Sequence, residues 1–516
     1  MIPFVAPVDD IMFSLRAVAG AAELPNWDDE LAEGIISHFG SFAEGVIAPL
    51  DETGDAQGCR LHDGKVAMPD GFADAYAALA ESGWQGLTAP EAFGGMGQGH
   101  LIAGAVSEVF SGANHAMQMV CNLVPGAIAT LLRFGSVAQQ EAWVPKLASG
   151  QALSTMCLTE PGAGSDLSRI RTKAVRDDAS WRISGEKIFI SGGDQDMSDD
   201  ILHLILARTG DDGIKGLSLF IAGKNDAGDT IKVTRIEEKL GLHASPTCQM
   251  AFDGAPAQLV GEEGAGLRAM FTLMNHARID VALQGVAHAA RAHAIATAYA
   301  AERKQGRRPD GRDAVLADHA DVQRMLNEQQ TLAMGARSMA HIALVAMEKG
   351  DQSDLVDFLT PICKVFCTEA GIRSADLGMQ ILGGYGYLTE YRVSQTWRDA
   401  RITAIYEGAN GIHAQSIATR GLRNGVGADA FDALIGDLAD QAQIATLHAK
   451  WRAARQYMIT SPSPAEHAHD FMQLTAQLYF RAVWCRIAER DPQSAGLRDF
   501  ALAQPIPVAP AMLALG

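Results

Sequence analysis

The densest group of residues able to do chemistry is Leu158-Thr159-Glu160-Pro161-Gly162-Ala163-Gly164-Ser165-Asp166, which directly follows an apolar, strand-like run. Its glycines would let backbone amides approach a ligand closely, and Thr159 and Ser165 add hydroxyls. By spacing alone the segment reads equally as a Pro-Gly loop with an Asx-type cap. No GxGxxG or GxxxxGK[ST] loop stands where a strand meets a helix, so nicotinamide-type and ATP-type chemistries lose ground. Metal chemistry is not expected either. The seven cysteines are scattered without a CxxC pair, His288 and His293 lie five apart, and His467 and His469 fall in a polar Pro-Ser-rich turn. Cys363 and Cys367, four apart on one helix face, read as small packing residues rather than a redox couple.

The elements that must position these residues fall into four stretches. Apolar residues recur at helical spacing from Asp28 to about Leu147, for example Leu31, Ile35, Phe39, Phe42 and Val46. Between about Ser154 and Val260 the pattern turns to short β-rich runs: Lys187–Ser191, Ile201–Leu206, Leu217–Ile221 and Ile231–Val233. From Leu267 to Arg303 a single glycine, Gly285, and no proline interrupt the chain, and further helix-compatible stretches span Asp313–Lys349 and Leu355–Ile381. A bundle of long helices is expected there, and beyond Gly425 a helix-compatible extension runs to about Ala488. The expected divisions are an N-terminal helical domain (1–153), a middle β-domain (154–264), a helical bundle domain (265–424) and a C-terminal helical extension (425–516), an α+β fold overall.

Composition bounds the function. With 516 residues, 48% hydrophobic and 20% charged, the chain can bury sizeable cores. A net charge of -19 argues against nucleic acid and anionic membrane as partners. The first residues lack a basic n-region followed by an apolar core, and no stretch is long and apolar enough for a bilayer span, so a reducing cytoplasm is the expected location.

Thr159 to Asp166 is nearly identical to a Thr-Glu-Pro-x-Ala-Gly-Ser-Asp motif. With Gly185–Ser191, Lys239-Leu240-Gly241, Ala301–Lys304, Gln380–Gly386, Arg398–Ile402 and Ile405-Tyr406-Glu407-Gly408, all in family order, the chain resembles the acyl-CoA dehydrogenase family. Asp55–Cys59, Gly83–Leu87, His243–Thr247 and Met274–Arg278 resemble its enlarged bacterial branch, which includes 3-methylmercaptopropionyl-CoA dehydrogenase.

The resemblance implies a helical, a β and a second helical domain, FAD as cofactor, and α,β-dehydrogenation of an acyl-CoA to a 2-enoyl-CoA. The substrate would be 3-methylmercaptopropionyl-CoA or another short or medium acyl-CoA, with electrons passed to an electron-transfer flavoprotein. It implies that Glu407 is the catalytic base. Removing a weakly acidic α-proton needs a positioned carboxylate and stabilisation of the enolate oxygen. Ala277 occupies the position where a minority of members carry the base, leaving Glu407 without a competitor. Leu158, Thr159, Gly164, Ser165, Phe189, Ser191, Arg303, Gln380, Gly383, Gly384 and Ala409 would contact FAD, and Ser165, Asn275, Arg278, Gly408 and Arg420 the acyl-CoA. Arg303 also reads as a surface arginine, and Gly383-Gly384 as a helix C-cap.

Three positions depart from the family pattern: Gln305-Gly306-Arg307 replaces a phenylalanine context, Ala409 stands for threonine, and His413 for glutamine. An oxidase whose reduced flavin meets oxygen, and an acyl-CoA-binding protein without chemistry, are the competing readings. The extension offers apolar residues including Phe431, Leu434, Ile435, Leu438, Phe471, Leu474 and Leu478, and by resemblance would cover the surface that pairs dimers elsewhere. A homodimer is expected, with a homotetramer as the alternative.

Overall fold

The computed structural model describes residues 2–514 other than Ala179, Asp212 and Asp440, without the side chains of Thr272, Leu273, Asn275, His276 and Gln441. The acyl-CoA contact expected of Asn275 therefore lies outside the described residues. The chain divides into two compact units, one formed by Gly45–Gly99 and Asn114–Ala277, the other by Met1–Glu44, His100–Ala113 and Arg278–Gly516.

The first unit is built on a seven-stranded sheet. Strands Ser180–Ser191, Asp200–Arg208, Leu217–Gly223 and Ile231–Ile236 cover the β-rich runs of the sequence, joined by Ala152–Cys157, Lys173–Asp177 and Thr247–Val260. Asp200–Arg208 is buried along almost its whole length, with Ala152–Cys157 parallel to it and Leu217–Gly223 antiparallel. It therefore reads as a near-continuous apolar run, interrupted only by buried His203, instead of an alternation. Thr247–Val260 has the alternating burial of a half-covered strand. From Leu217–Gly223 pairing continues through Thr247–Val260, Ser180–Ser191 and Lys173–Asp177, and returns to Arg208 through Lys173, so the sheet closes on itself. Its interior holds Cys157, Ile183, Cys248 and Met250, and Trp181 meets Phe220 edge-on at 5.3 Å between ring centroids.

The second unit is a bundle led by helix Gly266–Glu302 from Arg278 onward and by helices Ala320–Lys349, Ser353–Leu382 and Ala468–Arg490. The glycine in the middle of the first, Gly285, is required there. A Cβ on it would sit 2.3 Å from the Cys367 carbonyl oxygen, and one on Gly371 would sit 2.6 Å from the Gly285 oxygen. Backbone lies on backbone at this crossing, closer than any side chain allows. The C-terminal helices pack onto the same bundle. Phe431, Trp451 and Tyr479 are fully buried, with the Phe431 ring 5.1 Å from Trp451 and 5.9 Å from Tyr479. The Tyr479 hydroxyl donates to the Met339 carbonyl at 3.0 Å, and Trp484 Nε1 donates to that of Thr331 at 3.1 Å. Cys363 and Cys367 are buried in this bundle as free thiols, and burial pushes both upward in pKa. No single described helix is long and apolar enough to cross a membrane; one pair, His100–Cys121 with Val124–Phe134, passes that test only jointly and is bent by 42°.

Candidate active site

Glu407 lies in the loop between helix Val393–Arg401 and helix Asn410–Ser416. Its backbone adopts φ 53°, followed by Gly408 at φ 91°. A left-handed glutamate is strained on its own and persists only where its surroundings over-determine it. Three contacts do so. Tyr406 gives its hydroxyl proton to Gln284 Oε1, and Gln284 Nε2 donates to Asp280 Oδ2 at 2.9 Å. Lys364 Nζ donates to the Gly408 carbonyl at 2.8 Å and to Asn410 Oδ1 at 2.9 Å. His413 Nε2 lies 3.1 Å from the Glu407 carbonyl oxygen. Burial, then the charges of Lys364 and Arg278, lower the His413 pKa to about 4, so the ring is neutral at pH 7 and the contact requires the tautomer with hydrogen on Nε2.

The carboxyl of Glu407 is raised to about 7, chiefly by burial, while Arg278 and Lys364 pull it down and Asp280 pushes it up. Lys364 is fully buried on the Ser353–Leu382 helix, and burial lowers it to about 8 against the opposing charges of Glu407 and Glu369. This pairing produces a carboxylate that can hold or release a proton near neutrality. The Arg278 charge bears on Glu407 through space, whereas Arg420 is exposed, with its guanidinium donating to Ser416 Oγ at 3.0 Å. Lys364, His413, Gln284 and Asp280 escaped the reading of the sequence. His413 alone left a trace, as a departure from the family pattern.

In the β unit, the Leu158–Asp166 segment is a tight turn pinned by a buried ion pair. Glu160 and Ala163 exchange backbone hydrogen bonds of 3.0 Å in both directions around Pro161-Gly162. Lys187 Nζ, fully buried, donates to Glu160 Oε1 at 2.9 Å and to the Leu158 carbonyl at 3.0 Å. The other acceptor positions of Glu160 take the backbone N–H groups of Arg171 and Thr172 at 2.7 and 3.0 Å. Burial works against its ionisation, but Lys187 and these donors outweigh it and hold the carboxyl below its ordinary range. Glu160 is thus a fixed part of the turn. The Asx-type cap is also present, since Asp166 Oδ1 accepts from the Ser168 N–H at 3.2 Å.

The strand carrying Lys187 loses its ladder register between Lys187 and Ile190. There the Ile188 N–H bonds to the Thr159 carbonyl at 2.9 Å, and Phe189 takes φ 59° with 60% of its surface exposed. A bulge of this kind re-aims side chains. Within this unit the structure brings Leu158, Thr159 and Phe189 together through the Ile188 and Lys187 bonds. Gly164 and Ser165 are exposed just past the turn, and Ser191 is half-buried.

In the helical unit, Gly383 ends helix Ser353–Leu382 with φ 62° and donates its N–H to the Gln380 carbonyl, so it does cap the helix. A Cβ on either Gly383 or Gly384 would meet nothing within 4 Å, leaving open space beside exposed Gln380. Arg303 borders the same pocket of about 410 Å³ with its guanidinium 5.2 Å from the Tyr385 ring centre, and it forms no ion pair among the described residues. Ala409 is the N-cap of the Asn410–Ser416 helix and supplies no side-chain cap bond.

Family models match along most of the chain: the acyl-CoA dehydrogenase N-terminal domain at residues 31–151, the middle domain at 155–255 and the C-terminal domain at 264–422. The chain is 42% identical over 446 residues to 3-methylmercaptopropionyl-CoA dehydrogenase from Ruegeria pomeroyi, covering 80% of this chain and 76% of that protein. Butyryl-CoA dehydrogenase from Megasphaera elsdenii superposes with a TM-score of 0.68 at 26% identity, over 77% of this chain and 99% of that one. Caenorhabditis elegans ACDH-11 in complex with C11-CoA gives a TM-score of 0.82 at 20% identity, over 98% of this chain and 92% of that one, a likeness of fold.

Proposed function

The chain belongs to the acyl-CoA dehydrogenase family, and on that premise we propose that Glu407 is the base that removes the α-proton of a short or medium acyl-CoA on the way to the 2-enoyl-CoA. One observation supports this most directly: the Glu407 carboxyl, raised to about 7 by burial, stands on a left-handed turn tied down on both sides. A base near neutral pKa is deprotonated at working pH yet strong enough to accept the proton. Arg278, whose charge bears on Glu407, favours the ionised form that must exist before the substrate proton moves.

FAD is the cofactor of the family, and, when bound, it supplies the acceptor for the hydride leaving the β-carbon. The residues of each unit fit such a group. An exposed arginine with no carboxylate partner among the described residues, beside two unencumbered glycines, suits a pyrophosphate, because the guanidinium fork donates paired bonds. An exposed Phe189 beside a rigid turn of backbone amides suits an aromatic ring. Arg303, Gln380, Gly383, Gly384 and Ala409 in the helical unit, and Leu158, Thr159, Gly164, Ser165, Phe189 and Ser191 in the β unit, are the residues assigned to it. Arg278, Gly408, Arg420, Ser165 and Asn275 are assigned to acyl-CoA. The Ruegeria pomeroyi relative supports 3-methylmercaptopropionyl-CoA as the first substrate to try. Family membership supports an electron-transfer flavoprotein as the electron acceptor.

Glu407→Gln tests the reading. The variant should retain flavin and bind acyl-CoA, while anaerobic bleaching of the flavin by acyl-CoA slows by several orders of magnitude. Bleaching at near-normal rate would move the base elsewhere.

A further inference from the structure

The lysine behind Glu407 does not stand alone. Asn410, whose Oδ1 accepts from Lys364, turns its Nδ2 to Thr368 Oγ1 and to Glu369 Oε1, each at 3.2 Å. The second oxygen of Glu369 accepts from Gln473 Nε2 at 2.9 Å. Gln473 belongs to helix Ala468–Arg490, in the C-terminal region beyond the matched family domains, and is itself buried. One unbroken line of hydrogen bonds therefore runs from that helix through Glu369, Asn410 and Lys364 to the Gly408 carbonyl, one peptide from Glu407.

Taking Glu407 as the base, we propose that this line makes the C-terminal helices part of the catalytic apparatus, with Gln473, Asn410 and Lys364 as positioning residues that set the geometry and charge of Glu407. Polar side chains linked in a partly buried line polarise and orient one another, so a loss at one end is felt at the other. Lys364 acts on Glu407 in two ways. Its donation to Gly408 opposes relaxation of the strained turn, and its positive charge favours the ionised carboxylate. The other charged and titratable groups bearing on Glu407 are Arg278 and Asp280 from the long helix and Tyr406 and His413 from its own segment; Glu369 bears on Lys364, and Asp357 and Arg420 act at one remove through Arg278. Lys364 is tied to the turn by hydrogen bonds to the Gly408 carbonyl and to Asn410 Oδ1.

The test uses full-length protein and reads Glu407 without relying on turnover. Infrared titration of its carboxyl, taken as wild type minus Glu407→Gln, gives its protonation directly. Lys364→Met should move that titration at least about one pH unit to the alkaline side, and slow flavin reduction at pH 7 at least about tenfold with KM changed less than about threefold. Gln473→Leu should slow reduction by about threefold to tenfold, and Gln473→Leu with Asn410→Leu should be no slower than Asn410→Leu alone, because the two act through one line. Independent, multiplying effects in that cycle would overturn the proposal, as would an unmoved carboxyl titration in folded Lys364→Met. If Lys364→Met does not fold, the Gln473–Asn410 cycle decides alone. A Glu407→Gln protein that still bleaches its flavin defeats the assignment of the base, a result separate from either of these.

Discussion

A carboxylate that takes a weakly acidic proton has to be poorly solvated, and Glu407, the proposed base, is half-buried and desolvated at a cost to the fold. Its proton affinity is raised in the folded state to about 7, well above that of an unfolded glutamate. The folded protein therefore binds this proton more tightly than the unfolded chain, and stability contributed at Glu407 falls as pH rises from the unfolded value through about 7. Glu407→Gln should consequently unfold at higher urea than wild type at pH 8, by about 1–2 kcal/mol after allowing for partial solvent access, and match it near pH 4. Equal differences at both pH values would show that burial does not perturb this group. For the same reason kcat/KM of the wild type should climb with pH and reach half its plateau near 7, as read by stopped-flow flavin bleaching. Glu407 was legible as the candidate base because it sits inside a run of motif residues. Lys364, more than forty residues upstream, was not, because nothing local marks a lysine whose Nζ ends on a distant carbonyl.

At the scale of elements, the two loops assigned to ligands are each held by a buried lysine donating to a main-chain oxygen, Lys187 to Leu158 and Lys364 to Gly408. Lys187→Met would leave Glu160 buried with its strongest partner gone, a loss of about 3–5 kcal/mol. Urea unfolding should register that loss, and flavin retention should fall with it because the turn loosens. A variant as stable as wild type would show that the backbone donors to Glu160 suffice. Ala409 offers a change in the opposite sense. It caps the Asn410–Ser416 helix with φ -56° and ψ 145°, the extended geometry of an N-cap, but has no oxygen to give. Ala409→Thr should add about 0.5–2 kcal/mol to stability in urea unfolding by accepting from a first-turn N–H. The turn at Pro161-Gly162 could be read from composition. The bulge at Phe189 could not, since Ile188 leaves its ladder for Thr159, and that competition exists only once strand and turn are side by side.

For the whole molecule, the resemblance implies a homodimer whose further pairing the C-terminal helices would block. Phe431, Phe471, Leu474 and Leu478 are fully buried in the bundle, so a chain ending at Asn424 would bare their partner surfaces, Phe358 among them. Light scattering should find a dimer for the full chain and aggregates or tetramers for the shortened one; well-behaved dimers from both would remove this role from the extension. By itself the sequence determined the class of each stretch and the identity of the family, and it singled out Glu407 as the candidate for the base. Periodicity and short motifs are local properties, readable wherever neighbours in the chain are neighbours in space. Tertiary structure decided what holds Glu407: which lysine lies under Gly408, that a histidine braces Glu407, and that Gln473 in the last long helix reaches the same network. Those contacts join residues tens of positions apart, and their energies depend on burial, which no local pattern encodes.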